Sequence, residues 1–593
     1  MNRKLLKIIL IILNITFSQF GKNIVQYDKF DWEYIQTKHF DIYTYNQGSI
    51  HSKTASIYLE QAYDRISAAL DWRLKNRVSI IIYNSHNDFQ QTNVINTYMS
   101  EGIGGVTELY KNRVVIPFDG SNIEFKHVIF HELVHAFIND YLYGGSYKNF
   151  MNSPGKVVIP HWMNEGLAEH LSDYWSTNSD MWMRDLTING NNLPGIRDLR
   201  GYLGYRGGQS VWKFITEKWG NEVVPEIFYQ IKKNNNINIG FKNAIGIDLK
   251  KLDEQWQAYL KSEYWSEINF RDDLKDVSRQ LTNHIKLENN YNIAPALSPD
   301  GSRIAIFSNK SGNMGLYLIS SQDGRFLDKV IQGERNSNYE ELHILKPGIT
   351  WNPNGQQIAF AAKSRKSDVL FIEDLSNNKT IKKRFDLEGI FRPSWSPNEN
   401  NIAFIGNDGS QSDIYLYHIK EDSLENLTND WFSDDQVSWS EDGSLLYFIS
   451  DRADYINIES KIALNNNMIN QKFQNDIYSY SIIDKKIKRI TNTEHNESYP
   501  CALKKNSGLY FISDESGINN IYMHSFEDNK ITPITNISTG ITQLSFNGNE
   551  NQLIFTGFFK TGYDIYILSN PQLLSNDNFD IVKCKWKADK NKQ

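Results

Sequence analysis

The spacing of apolar residues changes character near Asp272. Upstream, from about Phe30 to Trp265, short apolar runs alternate with longer stretches of helical period. His39 to Tyr45 and Val78 to Tyr83 predict strands. Between them Ile57, Leu59, Ala62, Ile66 and Ala69 recur at helical spacing within Ala55 to Leu70, which predicts an amphipathic helix lying on a sheet. Ile123 to Tyr141 and Val211 to Trp219 predict further helices, and Gly104 to Glu108 with Val114 to Pro117 predicts a hairpin before the first of these. This half is expected to be α+β. Downstream, until about Leu568, helical periodicity gives way to short β-rich runs separated by Gly, Asn, Asp and Ser, so the second half is expected to be all-β.

The all-β half repeats itself. One phrase joins a small turn to a strand: Leu297-Ser-Pro-Asp-Gly before Ile304-Ala-Ile-Phe, then Trp351-Asn-Pro-Asn-Gly before Ile358-Ala-Phe, Trp395-Ser-Pro-Asn before Ile402-Ala-Phe, and Trp439-Ser-Glu-Asp-Gly before Leu446-Tyr-Phe. Degenerate copies follow at Leu503 and Phe546. A second phrase reads as the close of most units: Gly315-Leu-Tyr, Asp368-Val-Leu-Phe, Asp413-Ile-Tyr, Asp476-Ile-Tyr, Asn520-Ile-Tyr and Asp564-Ile-Tyr. A third, Leu or Ile followed by Thr-Asn, reads as the opening of several, at Leu281, Leu427, Ile490 and Ile534. The six starts, at 297, 351, 395, 439, 503 and 546, lie 54, 44, 44, 64 and 43 residues apart. A spacing near 44 suits a four-stranded propeller blade, and a ring gives each blade face a neighbour to pack on. These phrases resemble the TolB-like propellers, relatives of the WD-repeat family. The resemblance implies a six-bladed propeller over residues 269–575 and leaves function open. The repeated Trp and Tyr residues read as packing, and the extra sequence from Arg452 to Asn475 as a blade loop on one face of the ring.

Composition narrows the classes. A chain of 593 residues exceeds what one core organises, and 40% hydrophobic with 22% charged residues describes a folded protein. A net charge of −7 gives no basic footprint for nucleic acid. With two cysteines, Cys501 and Cys584, any metal site must draw on His, Asp or Glu, although an oxidising compartment would permit one bridge between them. Arg3, Lys4 and Lys7 precede the apolar run Ile8 to Phe17, and Thr16-Phe17-Ser18 offers a cleavage site before Gln19. Residues 1–18 therefore read as a signal peptide, too short in its apolar run to span a bilayer, leaving no transmembrane anchor after cleavage. The mature protein is expected to be secreted or periplasmic. The lysines at 583, 585, 587, 590 and 592 read as a solvated tail, residues 576–593.

Chemistry concentrates in residues 19–268. His131-Glu132-Leu133-Val134-His135 is an HExxH sequence inside a predicted helix, so the two imidazoles stand one turn apart and point the same way, as two ligands of one Zn²⁺ must. Thirty residues after His135, Pro160 to Glu169 reads as a second helix start around Asn164-Glu165-Gly166. Glu165 is the natural third ligand of a catalytic zinc site, whose fourth position stays open. Glu132, about 100° round the helix from His131, faces the site without ligating and is expected to act as general base.

Together the motifs resemble the gluzincin metallopeptidases, especially the peptidase MA-like group, and more distantly the zinc aminopeptidases with their Trp-Leu-Asn-Glu-Gly-Phe-Ala signature. The resemblance covers about Phe40 to Trp265. It implies Glu165 as third ligand and Glu169, one turn on, as the carboxylate that orients His131. Tyr205-Arg206-Gly207-Gly208 is similar to the aminopeptidase Tyr-x-Lys-Gly, which implies Tyr205 as oxyanion donor, with Tyr202 as a neighbouring rival and Gly207 in place of the Lys. His161 and His170 read as bystanders. The hairpin before the zinc helix implies an edge strand for extended substrate. Its Gly104-Gly105-Val106-Thr107-Glu108 is not the aminopeptidase Gly-x-Met-Glu-Asn, which leaves Glu108 a candidate substrate contact and favours an endopeptidase.

The expectation is thus an exported peptidase with one Zn²⁺, a protein or peptide substrate, and a propeller that recognises a partner or restricts the cleft. The rivals are a binding or scaffold protein without turnover and an exported aminopeptidase. If the ring merely stabilises the fold, residues 19–268 alone should be unstable or insoluble; if it selects substrates, that fragment should fold, keep zinc and cleave short peptides.

Overall fold

The computed structural model describes residues 27–590 apart from 96–97, 110, 145–156, 173–174, 336, 464, 548–550 and 575–580. The signal-peptide expectation for residues 1–18 lies outside them. Among the described residues no helix is long and apolar enough to cross a membrane.

The first region is built on a five-stranded sheet in the order β1-β2-β3-β5-β4, from Trp32–Gln36, Phe40–Tyr45, Val78–Tyr83, Val106–Thr107 and Val114–Pro117. β2, β3 and β5 run parallel, while β1 and β4 close the two edges antiparallel. Helix α1, Ser49–Leu70, buries Leu59, Ala62 and Ile66 in the common core. Seven further helices matter below: α2 (Asn122–Tyr143), α3 (His161–Ser172), α4 (Thr177–Ile188), α5 (Tyr202–Trp219), α6 (Val223–Asn234), α7 (Ile237–Ile245) and α8 (Leu249–Trp265). Helix α5 starts nine residues before the stretch that apolar periodicity predicted, taking Gly207 and Gly208 into its body. Those glycines are there for packing, since a Cβ on Gly208 would strike the Trp162 carbonyl and one on Gly166 the Gly208 backbone. Helices α3 and α5 therefore cross at backbone contact.

The second region is a ring of six four-stranded blades. The last blade takes β-strands 541–547, 552–559 and 562–569 and completes itself with Arg279–Gln280, which pairs with Tyr566 and Ile567. The ring is thus closed by the strand that enters it. Two unit assignments change accordingly. The Asp-Ile-Tyr phrases form the third strand of a blade rather than its close, and the Thr-Asn phrases follow the outermost strand rather than opening a unit. The two are tied together: the Thr282, Thr428, Thr491 and Thr535 hydroxyls accept from the N–H of Ile565, Ile414, Ile477 and Ile521 at 2.8 to 3.1 Å. This knot explains why the phrases recur as a pair. Trp351 and Trp439 donate their indole N–H to Ala296 and Ser394 of the preceding blade at 2.9 and 3.0 Å, consistent with packing roles.

The two regions share material. The 452–475 insertion lies on α1: the Tyr58 hydroxyl donates to the Ile469 carbonyl at 3.3 Å, and Ala463, Met468 and Ile469 join the core of the first region together with Trp431 and Phe432. A fragment of residues 19–268 would expose that surface. Residues 581–590 are not a solvated tail. Cys584 is fully buried between the regions, its sulfur accepting from Arg184 Nη2 at 3.0 Å and its N–H donating to the Ser516 carbonyl at 2.7 Å. Lys587 pairs with Asp514 at 3.1 Å. Cys501 lies elsewhere, in the ring, and both thiols are free.

Candidate metal centre

Helix α2 is capped by Ser121, whose hydroxyl accepts from the Glu124 N–H at 3.2 Å, and ends at Gly144 with φ +76°. One face of it, Phe125, Ile129, Leu133, Ala136 and Phe137, sinks into the core. That anchoring turns His131, Glu132 and His135 toward α3 and β4, where all three are buried.

Helix α3 brings Glu165 against both histidines. Its Oε2 lies 3.3 Å from His131 Nε2 and 3.1 Å from His135 Nε2, and the two Nε2 atoms are 3.2 Å apart. Donors held at 2.0 to 2.2 Å by a tetrahedral metal stand about 3.3 to 3.6 Å from one another, and the edges of the triangle, 3.1 to 3.3 Å, fall at or just under the lower end of that range. Two other trios approach closely, His131 with Glu132 and His135, and His127 with His131 and Glu169. Glu165 is the better third donor, because one of its oxygens meets both Nε2 atoms while Glu132 and Glu169 are engaged elsewhere.

Glu169 lies on the other side of His131. Its Oε1 is 3.2 Å from His131 Nδ1 and 3.6 Å from His127 Nε2, and its Oε2 accepts from Arg206 Nη1 at 2.6 Å. Burial by itself would raise the carboxyl, but Arg206, His127 and His131 hold Glu169 well below the usual range. Glu165 is lowered by the two histidines in the same way. Burial would lower His131, yet the hydrogen bonds to Glu165 and Glu169 carry it up to about 10. His135 has no counterpart of Glu169: its buried Nδ1 finds no partner among the described residues.

Glu132 is fixed from the edge strand. The Thr107 hydroxyl lies 2.7 Å from its Oε2 and 2.9 Å from its carbonyl oxygen, and a Cβ on Gly105 would crowd its Cγ and Oε1. Tyr205 stands on the first turn of α5, its ring stacked 5.9 Å from that of His131. Burial and then the charges of Glu165, Glu132 and Glu169 push its phenol above the ordinary value. The rival Tyr202 is turned away, its oxygen accepting from Arg206 Nε at 2.9 Å and from Asn178 Nδ2 at 3.2 Å.

The structure therefore gathers His131, Glu132, His135, Glu165, Glu169 and Tyr205 at one point. Glu108 is not among them: its Oε2 accepts from Arg113 Nε at 2.7 Å across the hairpin. His161 is wedged beside Gly204, and His170, 3.4 Å from the Thr216 hydroxyl, is pushed by burial down to about 4. Thr107, Gly105, Arg206 and His127 escaped sequence reasoning. Gly105, Thr107 and Arg206 stood inside quoted motifs without a role, and His127 stands one helical turn before His131.

Among solved structures, TolB from Acinetobacter baumannii is similar at 14% identity over 47% of this chain and 55% of its own, with a TM-score of 0.30. This chain therefore spans little more than half of that protein. A putative TolB from Agrobacterium tumefaciens matches at 15% identity over 47% and 90%, TM-score 0.34. An oligogalacturonate lyase from Vibrio parahaemolyticus matches at 11% over 49% and 92%, TM-score 0.34. The family model of the Peptidase MA superfamily matches residues 59–262 and that of the TolB beta propeller domain residues 332–471, so this chain joins a Peptidase MA superfamily region to a TolB-type propeller.

Proposed function

We propose that this chain is an exported, zinc-dependent endopeptidase whose propeller selects the polypeptides that reach the metal. The observation that carries the reading is the triangle of His131 Nε2, His135 Nε2 and Glu165 Oε2, with edges of 3.1 to 3.3 Å, beside a buried Glu132. These three residues would hold one zinc ion, which supplies a Lewis acid to polarise a carbonyl and ease the ionisation of water.

The chain's own groups do the rest. Glu132 takes the proton of the attacking water and returns it to the leaving amine. Thr107 and Gly105 set the direction of that carboxylate. Tyr205 keeps its proton at neutral pH and donates it as a hydrogen bond to the oxyanion. Glu169, held by Arg206, fixes the His131 tautomer that presents Nε2. β4 offers the free backbone groups of a sheet edge to an extended substrate. The ion pair of Glu108 with Arg113 supports cleavage within chains, since it leaves that carboxylate unavailable for a free amino terminus. Export rests on the basic and then apolar residues 1–18.

Metal analysis of the purified protein should find about one zinc per chain, most of it lost in His131→Ala and Glu165→Ala. Full retention in Glu165→Ala would remove Glu165 from the ligand set. Amino-blocked peptides should be cut as readily as free ones, and a strong preference for free amines would turn the reading toward an aminopeptidase.

A further inference from the structure

The helices that bracket the ligand triangle rest on opposite sides of the ring. The amino end of α2 sits over blades 2 to 4. Asp119, just before it, pairs with Lys346 Nζ at 3.1 Å, the Gly120 carbonyl accepts from Ser412, and the Asn122 N–H donates to Ser433 Oγ at 2.9 Å. Helices α4 and α5 sit over blades 5, 6 and 1. Thr177 donates to Asp514 at 3.1 Å, Asp185 accepts from the N–H of Lys560 and Thr561 at 2.9 and 2.8 Å, and Trp182 packs 4.6 Å from Phe558. Tyr202 on α5 packs on Trp182 at 4.7 Å and neighbours Tyr291 and Tyr563, whose rings stack at 5.8 Å where blades 6 and 1 meet. The cleft between α2 and α5 therefore stands above the middle of the ring.

The middle of the ring is a cavity of about 470 Å³ lined by the innermost strand of every blade. Its rim lies beside the contacts just described: Pro347 follows Lys346, Gln436 lies three residues past Ser433, and Ala294 three past Tyr291. Five of the inner strands break register along their length, a bulge that frees backbone groups from the ladder. Two of the freed N–H groups, of Ala294 and Tyr499, are tied to Gln543 and Gln436 of the adjoining blade at 2.7 and 2.6 Å, so the wall is stitched from blade to blade. A wall so braced holds its width.

We infer that the propeller channel is the entry to the metal cleft and that its occupant is a single extended, unstructured stretch of the substrate polypeptide. The inference rests on the peptidase reading above and names its substrate class. The path is short enough to test by length. His131 lies nine residues along α2 from Asn122, about 14 Å, and an inner strand such as Gly389–Trp395 adds about 23 Å for its seven residues. About 11 extended residues span the two together.

Ser394 and Ser545 line the channel on blades 3 and 6, and each is replaced by Trp in a separate variant of the full chain. Cleavage of an unstructured peptide of about 20 residues is compared with that of a blocked peptide of about 5, which is too short to occupy channel and cleft together. Both variants should lower kcat/KM for the long peptide at least about 10-fold and change the short one less than about 2-fold, with zinc content unaltered. Equal losses on both peptides, or none on the long one, overturn the inference. A second arm does not depend on turnover: the zinc-loaded Glu132→Gln chain is irradiated with the long peptide carrying a benzophenone near one end. Adducts on Gln436 or Tyr499 support the route, and adducts confined to the outer surface overturn it. If the natural chain cleaves neither peptide, the peptidase reading fails, while the cross-linking still decides whether extended chain enters the ring.

Discussion

The two regions bury charge in opposite ways. In the propeller the buried Asp564 carboxylate is answered by several partners from the segment that closes the last blade and from the blade beside it. Asp564 accepts from the Thr282 hydroxyl at 2.9 Å, the His284 N–H at 2.8 Å, Asn292 Nδ2 at 3.1 Å and Gln280 Nε2 at 3.1 Å, and it also meets His284 Nδ1 at 2.7 Å. In the first region His131, His135 and Glu165 present their functional atoms to one another, and their supports, Glu169 and Arg206, stand behind them. Completed bonding marks a residue that holds the fold. Donor atoms converging on a point mark one prepared for something else. Repetition separates the two classes in the sequence as well, since the structural carboxylate recurs in four of the six blades, at Asp368, Asp413, Asp476 and Asp564, whereas HExxH and Asn-Glu-Gly occur once.

The largest test removes a structural carboxylate. Asp564→Ala leaves several buried donors unanswered and should cost about 3 to 5 kcal/mol of stability, measured by denaturant unfolding, with zinc affinity of the folded fraction unchanged. A loss below about 1 kcal/mol would break the distinction drawn here.

His51 sits where the regions meet, its Nε2 2.9 Å from the Gly409 carbonyl and its ring stacked 4.0 Å from Phe118. Burial pushes it down to about 4, against the smaller opposing effects of the Gly409 hydrogen bond and the Asp408 charge. A depressed histidine favours its neutral form in the folded state. Its contribution is therefore present above the unfolded pKa near 6.5 and is lost as pH falls toward 4, by up to about 3 kcal/mol. His51→Gln should flatten the stability profile between those pH values. An unchanged slope would assign the acid limb to other groups.

Glu132→Gln should keep its zinc and lose at least about 100-fold in turnover, while leaving the melting temperature near that of the natural chain. Loss of the metal in this variant would move Glu132 from the reacting groups to the ligands. The smallest effect is expected at Thr107. Thr107→Ala should lower kcat about 10-fold with little change in KM or zinc, and Thr107→Ser, which restores the hydroxyl, should recover most of it. Equal impairment of the Ala and Ser variants would make Thr107 a packing residue.

Local spacing made much of the site legible. Two histidines one turn apart on an apolar-faced helix must point together, and Asn-Glu-Gly at the head of a second helix offered a candidate third donor. The structure brings Glu165 within 3.3 Å of both. Tyr205 was legible by resemblance, and its helix start was not, because Gly207 and Gly208 interrupt the apolar period that betrays a buried face. Glu108 failed for a related reason. Its partner Arg113 lies five residues on, across a turn, and only the pairing of β4 with β5 brings them together.

The sequence by itself determined the six blades, the α+β region before them and the convergence of His131, His135 and Glu165. Each is written in a short period or a short motif, and helix and strand geometry convert such spacing directly into direction. Tertiary structure alone decided that Arg279–Gln280 closes the last blade, that the 452–475 insertion completes the core of the first region, and that Cys584 is buried beside Arg184. It also decided that Thr107 and Arg206 meet the two motif glutamates, Glu132 and Glu169. Those contacts join residues tens to hundreds of positions apart. No period records them, because they depend on how whole elements dock, and docking is settled by the summed burial of many side chains rather than by any one phrase of sequence.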